Sequence, residues 1–456
     1  MPQTQPKILK LPDSAAVHLG EAISYPTIAY ADRLSDSAVF RDFGSFLTIS
    51  YPLIRQNLER TVINQFSYIY KWQGTNSSLE PYILMAHLDV VPVEDSDSSW
   101  TKLAFSGSVI KDTIWGRGTV DDKGSLISIM EAAEQLLAQR FTPERTIYFC
   151  FGHDEEAGGT NGGKQIMEWF KERKIRAELV LDEGLEIIEK NYASLKRPLA
   201  LIGVGEKGYA SFELSVNKAG GHSATPEKET AIDILNKALT RLHHKPMKAR
   251  LTPTINVFFK RVKPYLPSPL RFAISNLWFF KKKFIRKMEG NMGTNAAIRT
   301  TIVPTIMNSG VKDNVIPTVA RATLNCRILP GETIEDVEAH IRKHLHDDRV
   351  QIKPYPNIWN PSDPLTSTTH PSFLKIESLV KQLVPEAVTA PMIVLGATDS
   401  RYFRSISNGV INFLPVIDSQ GFHGINEHRT TKDLERLIVF YSLLMQKSGE
   451  TIVTGH

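Results

Sequence analysis

Hydrophobic positions between Pro81 and Gly184 form short, wholly apolar runs that are separated by longer amphipathic ones. The short runs have the length of strands, and the longer ones repeat apolar residues at helical spacing. In chain order the runs are PYILMAHLDVV, GSLISIMEAAEQLLAQR, RTIYFCFG, GGKQIMEWFKERK and AELVLDEG. Strands joined by helical crossovers predict a mostly parallel sheet covered by helices, and such a sheet binds ligands beyond the carboxyl ends of its strands.

The pattern changes after Gly205, where strand-like and helical runs follow in the order βαββαβ, which is typical of a ferredoxin-like α+β unit. Its runs are GYASFELSVN, TAIDILNKALTRL, TTIVPTIMNSG, VARATLNCRIL, TIEDVEAHIRKHL and RVQIKPYP. From Ser372 onward the helix, loop and strand order of the first region returns. We therefore predict one α/β domain in two parts, 1–205 and 358–456, with an inserted α+β lid, 206–357.

A basic and aromatic segment, 246–292, interrupts the predicted lid. Lys245 to Gly290 holds 12 Lys and Arg against a single acid, Glu289, a local net charge of +11. We expect a small helical subdomain whose aromatic residues pack on the lid while its cations face water. The alternatives are a cover for an apolar substrate tail and a contact of 271–288 with a membrane surface.

Composition places the chain among ordinary globular proteins. Its 456 residues are 42% hydrophobic and 23% charged, with near-average glycine and proline, which excludes collagen-like and wholly disordered chains. No apolar run approaches the roughly 20 residues of a membrane-spanning helix. The first 20 residues lack the apolar core of a secretory signal, and the two cysteines, Cys150 and Cys326, lie in apolar runs, so we expect a cytoplasmic protein with reduced, buried thiols.

The net charge of +5 is unevenly distributed, since the chain outside Lys245 to Gly290 sums to −6. The basic segment has the pattern of none of the recognised nucleic-acid-binding folds. We therefore expect no nucleic-acid partner.

Imidazoles and carboxylates recur near the predicted strand ends, where a ligand site is expected. The candidate metal ligands are His87, Asp121, Glu156, Asp182 and His423. Singly, each has a plainer interpretation, such as a polar strand end for His87 or a helix N-cap for Asp121. Together they suit two ions about 3.5–4 Å apart that share Asp121, and the lack of a cysteine favours zinc, cobalt or manganese.

Two further acids lie beside these candidates. Asp89 follows His87 at strand spacing, so it can orient the imidazole. Glu155 precedes Glu156, and adjacent carboxylates in a cleft repel each other unless a cation or a division of labour separates them. Glu156 as metal ligand and Glu155 as proton shuttle is one such division; a solvated acidic loop is the alternative.

An ordered series of motifs covers nearly the whole chain: HLDVVP, GRGTVDDKG, HDEEAGG, LDEG, GHSATP, NVIP, CRILPGET, GATDSRYF and GFHGINE. The series resembles the dizinc aminoacylase/carboxypeptidase family of metallopeptidases, which includes acetylornithine deacetylase, succinyl-diaminopimelate desuccinylase and carboxypeptidase G. The insert and the wording around HLDVVP and FHGINE look most like the carboxypeptidase S and N-acyl-amino-acid hydrolase branch.

This resemblance implies roles for the candidate residues. His87 and Asp182 would bind one zinc, Glu156 and His423 the other, and Asp121 would bridge them together with a water or hydroxide. Asp89 would support His87, Glu155 would be the general base, and the Asp121–Asp122 peptide bond is expected to be cis. 

The resemblance also implies roles for the lid and a nearby loop. His222 would stabilise the oxyanion, often in the site of a partner subunit, and Arg327 would hold the substrate carboxylate. Gly396 and Thr398 would contact the substrate near the metals. The insert replaces the short connection of simpler members, which puts in doubt a homodimer formed through the lid.

The predicted function is hydrolysis of the amide bond in N-acyl amino acids or small peptides that bear a free carboxylate. A dipeptidase or a deacylase of a biosynthetic intermediate is the alternative within the same chemistry. A non-catalytic protein that binds amino-acid derivatives is the alternative outside it. In each case the partner is a small molecule.

Overall fold

The computed structural model of the protein describes residues 12–33, 35–93, 99–189, 195–360 and 364–450. The first eleven residues, which bear on the expectation of no secretory signal, lie outside this part. Over these ranges, no helix is both long and apolar enough to span a bilayer.

The larger sheet of the described chain has nine strands and a parallel centre. Its strands, in order across the sheet, are Glu59–Ile63, Ser67–Trp72, Ile147–Gly152, Tyr82–His87, Leu179–Asp182, Val410–Asn412, Leu199–Glu206 and Val388–Val394, with Ile187–Ile188 beside Leu199–Glu206. Tyr82–His87 runs parallel to both of its neighbours, so three consecutive strands end at the same edge.

Helices cover both faces of this sheet. Alternate residues of Tyr82–His87 enter different cores: Leu84 and Ala86 lie in the larger one, whereas Ile83 and Met85 lie in the other. This two-sided burial explains why the strand is a continuous apolar run. The helices are Asp13–Ile23, Ser37–Ser50, Pro52–Asn57, Lys123–Ala138, Gly163–Glu172, Pro371–Leu383, Ser400–Phe403 and Thr431–Gln446, with a 3₁₀ turn at Glu155–Ala157.

The predicted lid forms a separate four-stranded antiparallel sheet. Its strands, in order, are Thr301–Ser309, Val319–Ile328, Gly208–Asn217 and Val350–Asn360. The helices Ala231–His243 and Ile334–Leu345 pack on one face through a core of their own. Numbered along the lid, the strand order is 2-3-1-4, the ferredoxin-like order, so the predicted fold class is confirmed.

Two small sheets complete the strand content of the described residues. Gly221–His222 pairs with Val315–Ile316 in the lid. His428–Thr430, Thr113–Trp115 and Val109–Ile110 form a three-stranded sheet. The second sheet holds the segment after His423 close to the loop that carries Asp121.

The insert is helical, as expected, but it packs on a different surface. Its elements are Pro253–Val262, the 3₁₀ turn Lys263–Tyr265, Ser268–Ser275, Leu277–Glu289 and Met292–Ile298. Their core contains Phe258 and Met288 together with Leu201 and Met392 of the larger sheet. The expectation that the aromatic residues pack on the lid is therefore wrong: Phe258 and Phe284 pack against strands of the larger sheet, whereas Phe272 and Trp278 are exposed.

Candidate metal centre

Three parallel strands of the larger sheet deliver side chains to one edge. Tyr82–His87 ends in His87, Ile147–Gly152 is followed by the turn that carries Glu155 and Glu156, and Leu179–Asp182 ends beside Glu183. Asp121 comes from the loop that precedes the helix Lys123–Ala138. These side chains therefore lie beyond the carboxyl ends of the strands, where a parallel sheet is expected to bind its ligands.

Asp121 lies between the two imidazoles. Its Oδ1 is 2.8 Å from Nε2 of His87, and its Oδ2 is 2.8 Å from Nε2 of His423. Nε2 of His423 is also 3.2 Å from Oε1 of Glu156. The two oxygens of Asp121 thus contact two different imidazoles. The peptide bond that follows this residue, Asp121–Asp122, is cis, as the resemblance implies.

The structure separates Asp182 from its neighbour Glu183. Oδ2 of Asp182 accepts hydrogen bonds from Oγ1 of Thr398 at 2.8 Å and from the backbone N–H of Ser400 at 3.0 Å. Oε1 of Glu183 instead lies 3.3 Å from Nε2 of His87. The sequence analysis selected Asp182 alone, whereas in the structure it is Glu183 that lies beside the imidazole of His87.

The donor atoms form two overlapping groups that suit divalent cations. His87, Asp121 and Glu156 offer atoms within 4.8 Å of one another, and so do His87, Asp122 and Glu183. Asp122 is fully buried, and neither of its carboxylate oxygens has a hydrogen-bond partner among the described residues. Buried carboxylates without partners are costly unless a cation compensates them, so the residues present fit a metal.

The electrostatics of the cluster agree with this interpretation. Burial acts to raise the pKa of Asp121, but hydrogen bonds with His423 and His87 outweigh it and leave that pKa well below its usual range. The hydrogen bonds of His423 with Asp121 and Glu156 raise its pKa to about 10, although burial opposes them. The carboxylates thus favour positive charge at the centre of the cluster, as a cation site requires.

Glu155 differs from these acids. Burial raises its pKa well above the usual range, and the nearby carboxylates of Asp399 and Glu183 raise it further although His87 opposes them. A buried carboxyl with a raised pKa beside a metal site is suited to take up and release a proton.

Asp89 holds two parts of the site together. Its carboxylate accepts the backbone N–H groups of Glu155 at 3.2 Å and Glu156 at 3.0 Å, and its Oδ1 lies 3.4 Å from Nδ1 of His87. Asp89 is fully buried. It therefore fixes the acidic turn relative to the imidazole, a wider role than the expected support of His87 alone.

Sequence reasoning missed a second buried carboxylate, Glu427. Its Oε1 accepts the backbone N–H groups of Gly118, Val120 and Asp121, at 3.0, 2.7 and 3.2 Å. Its Oε2 accepts a 2.6 Å hydrogen bond from Arg117. The available signal was its place in the motif GFHGINE, from which only the histidine was selected.

Arg117 and Gly118 complete this connection between the two loops. Nη2 of Arg117 donates to the carbonyl oxygens of His423 and Gly424, so the loops of Asp121 and His423 are tied directly. Gly118 has φ +95°, and a Cβ there would lie 2.9 Å from Cγ1 of Val90. The loop therefore needs glycine at this position.

The structure does not bring the predicted substrate residues into the cluster. His222 is exposed on its short lid strand, and its Nδ1 accepts the backbone N–H of Ala224 at 3.1 Å. Arg327 is half-buried, with its guanidinium 4.5 Å from the centroid of the Tyr209 ring. Thr398 is buried and bonded to Asp182 and Glu206, whereas Gly396, two residues earlier, is exposed.

The sequence matches a known family of peptidases. The model of Peptidase family M20/M25/M40 matches residues 83–447. The chain belongs to this family. The predicted resemblance to a metallopeptidase family is thereby confirmed, as is the prediction that the chain is a hydrolase.

Relatives in the family span nearly the whole chain. "Probable carboxypeptidase S-like 2" of Dictyostelium discoideum is 39% identical over 95% of this chain and 85% of its own length. "N-fatty-acyl-amino acid synthase/hydrolase PM20D1" of Homo sapiens is 35% identical over 94% of this chain and 86% of its own. These matches confirm the carboxypeptidase S and N-acyl-amino-acid hydrolase branch.

Solved structures agree on the fold. An M20 family metallo-carboxypeptidase from Sulfolobus solfataricus aligns with a TM-score of 0.70 at 17% identity, over 95% of this chain and 99% of that one. Human carnosine dipeptidase 1 aligns with a TM-score of 0.68 at 14% identity, over 96% of each chain. At such identities the likeness concerns the architecture alone.

Proposed function

We propose that this chain is a dinuclear metallohydrolase that cleaves the amide bond of N-acyl amino acids or small peptides with a free carboxylate. The observation that carries the proposal is Asp121, whose two oxygens each lie 2.8 Å from a different imidazole. A carboxylate placed between two donor groups is the arrangement required to bridge two cations. The names of the carboxypeptidase S-like and N-fatty-acyl-amino acid relatives support the same substrate class.

The proposed ligands follow the contacts. His87 and Glu183 would hold one cation, His423 and Glu156 the other, and Asp121 would bridge them. Glu183 replaces Asp182 in this assignment because the oxygen of Asp182 that meets other side chains is already bonded to Thr398 and Ser400. Nitrogen and oxygen donors without thiolate favour zinc, with cobalt or manganese as alternatives.

Divalent cations in such a site supply Lewis acidity, which polarises an amide carbonyl and lowers the pKa of a water. Glu155 is the proposed general base: its carboxylate takes a proton from the water whose oxygen attacks the carbonyl carbon. The same carboxyl then passes that proton to the nitrogen as the carbon–nitrogen bond breaks. Asp89 positions the backbone of Glu155 for both transfers.

The remaining site residues are proposed as substrate contacts. Arg327 would pair with the substrate carboxylate, because a guanidinium binds a carboxylate through two parallel hydrogen bonds. Gly396 and Thr398 would border the substrate in the loop after Val388–Val394. His222, exposed on the lid, would reach the site of a partner subunit, so a homodimer through the lid is part of the proposal.

An apolar substrate group is favoured by the neighbourhood of the site. Leu185 and Leu395 contact the core of the insert, and they lie next to Gly184 and Gly396. This apolar surface therefore begins beside Glu183 and the proposed substrate loop. It favours an N-acyl group with a hydrocarbon chain over a small charged dipeptide.

A substrate panel tests this proposal. The metal-replete protein is assayed against N-acyl amino acids that combine different acyl-chain lengths with different amino acids, and against dipeptides. We expect turnover of long-chain acyl amino acids and about two metal ions per chain. The matched variant Glu155→Gln should keep its metal but lose rate by about 10²-fold or more. Activity confined to short dipeptides would reject the apolar preference, and an unchanged rate in the variant would refute the assigned base.

The domain limits and the cellular location are two further parts of the proposal. We propose a division near the predicted limits 1–205, 206–357 and 358–456: the strand Leu199–Glu206 belongs to the larger sheet, and Gly208–Asn217 and Val350–Asn360 belong to the lid sheet, so the lid begins after 206 and extends to 360. We also propose a cytoplasmic location, which the two buried free cysteines support. Limited proteolysis and cell fractionation test these two assignments.

A further inference from the structure

Two consecutive helices of the insert, Ser268–Ser275 and Leu277–Glu289, expose large aromatic side chains. The exposed fraction is 62% for Phe272, 83% for Trp278 and 68% for Phe279. Burying such rings is worth a few kcal/mol each in an ordinary core, so a cluster of them on the surface calls for a partner.

The three exposed rings and the half-buried ring of Phe280 form one continuous surface, which we call the aromatic tip: Phe272, Trp278, Phe279 and Phe280. The ring centroids of Phe272 and Phe280 are 6.0 Å apart, those of Phe279 and Phe280 are 4.9 Å apart, and those of Trp278 and Phe279 are 5.7 Å apart. These contacts hold the rings together at the junction of the two helices.

The C-terminal half of Leu277–Glu289 anchors the aromatic tip to the protein. Met288 is buried, and Phe284 and Ile285 are partly buried against the core of the insert. The C-terminal half of the helix is therefore held against the core of the insert, while Trp278 and Phe279 are exposed at its N-terminal end.

Exposed cations follow the aromatic residues along the helix. They are Lys281, Lys282, Lys283, Arg286 and Lys287. The acid of this segment, Glu289, is paired with Arg299. The exposed surface of the helix Leu277–Glu289 therefore presents aromatic rings followed by a block of positive charge.

We propose that the aromatic tip and its cations dock on the surface of an anionic lipid bilayer. Trp and Phe are favoured at the boundary between headgroups and acyl chains, and exposed lysines beside them attract anionic headgroups. The charge selects this occupant, because the helix Leu277–Glu289 exposes five Lys and Arg residues beside the aromatic tip. The helices would lie on the bilayer and not cross it. This inference is independent of the hydrolase reaction.

Vesicle sedimentation tests the proposal on the full chain. The protein is mixed at low salt with phosphatidylcholine vesicles or with mixed phosphatidylcholine and phosphatidylserine vesicles, and the pelleted fraction and Trp fluorescence are measured. We expect pelleting with the anionic vesicles, a blue shift of the emission, and release at high salt.

Two variants locate the contact. A triple variant Lys281→Gln, Lys282→Gln and Lys283→Gln should bind about a hundredfold more weakly, since each lysine near an anionic surface contributes about a factor of five. A double variant Trp278→Ala and Phe279→Ala should lose the blue shift and bind at least about tenfold more weakly. The control exchanges three exposed lysines elsewhere, Lys164, Lys171 and Lys174, for Gln and should bind as the wild type does.

The exchanged side chains are exposed, so the variants are expected to fold. An unchanged thermal unfolding midpoint checks this for each variant. Failure of the wild type to pellet with anionic vesicles at low salt overturns the proposal. Equal loss of binding in the control and the Lys281 to Lys283 variant also overturns it, since general charge would then explain the binding. A wild-type dimer that the aromatic variant dissociates, without vesicle binding, would assign the aromatic tip to self-association instead.

Discussion

Exchanging Glu183 for Gln and Asp182 for Asn separates two adjacent carboxylates that the sequence does not distinguish. Each exchange keeps the size of the side chain and removes its charge. Glu183 lies 3.3 Å from His87 within a group of possible donors, whereas Asp182 accepts hydrogen bonds from Thr398 and Ser400. We expect Glu183→Gln to reduce metal binding and Asp182→Asn to reduce stability.

The magnitudes follow from these contacts. Two unit charges 4 Å apart interact by about 4 kcal/mol at an effective dielectric constant of 20, and a dication interacts more strongly. Loss of the Glu183 charge should therefore weaken the binding of one metal by about a thousandfold or more, at 1.4 kcal/mol for each factor of ten. Hydrogen bonds to a charged acceptor contribute about 1.5–3 kcal/mol, so Asp182→Asn should lower the free energy of unfolding by an amount in that range.

The assay is metal analysis after dialysis against a weak chelator, combined with urea unfolding. Glu183→Gln should retain about one metal per chain and unfold near the wild-type midpoint when both proteins are metal-free. Asp182→Asn should retain both metals and unfold at lower urea. The reasoning is refuted if Asp182→Asn loses a metal while Glu183→Gln keeps both.

Three other substitutions test Glu427, which positions the loop of Asp121, Arg327 of the lid, and the contact between His18 and Glu131. Glu427→Gln should lower kcat by about 10–100-fold, because the Glu427 carboxylate fixes the loop that carries Asp121. Steady-state kinetics measure this effect, and an unchanged kcat would contradict it. Arg327→Lys should raise KM for substrates with a free carboxylate and leave KM for their methyl esters unchanged, which paired assays of acid and ester decide. The hydrogen bond with Glu131 raises the pKa of His18 above its ordinary value of 6.5, although burial opposes this shift. The contact therefore stabilises the fold fully below pH about 6.5, and this stabilisation is lost as the pH rises through the pKa of the folded state. Urea unfolding of His18→Gln should show a loss of stability at pH 6 that shrinks by pH 9, and an equal loss at both would sink this account.

Much of the architecture could be predicted from the sequence because the burial of each strand is visible in its pattern. The run YILMAH is apolar throughout since both faces of that strand are covered, and GYASFELSVN follows a different rhythm because it belongs to the lid sheet. The βαββαβ order then determined the lid topology. These features depend on local periodicity, which a single sequence records.

The choice between Asp182 and Glu183 could not be predicted in the same way. The two are consecutive at the end of a strand, so they point to different sides, and the side that faces His87 depends on where the loop of Thr398 and Ser400 lies. That loop is more than two hundred residues away in the chain. Glu427 was missed for the same reason, because its hydrogen-bond partners lie in the distant loop around Val120.

The insert shows a further limit of periodicity. Its pattern revealed amphipathic helices, but apolar positions at helical spacing fit any apolar surface. The exposed edge of the larger sheet, at Leu199–Glu206 and Val388–Val394, competes with the lid for that contact. Only the three-dimensional arrangement shows that the sheet edge is the surface covered.

The buried acids of the site divide into two groups according to their partners. Asp89 and Glu427 accept hydrogen bonds from backbone N–H groups, and through them they fix the turn of Glu155 and the loop of Asp121. Asp121, Glu156 and Glu183 instead direct oxygens toward the Nε2 atoms of the imidazoles, whereas Asp89 lies on the Nδ1 side of His87. A carboxylate whose charge is compensated by fixed backbone dipoles gains little from a cation, whereas one without such compensation gains much. We infer that these hydrogen bonds separate the acids that position the site from those proposed to bind metal. Asp182, whose Oδ2 accepts from the hydroxyl of Thr398 and the backbone N–H of Ser400, is proposed to belong to the first group.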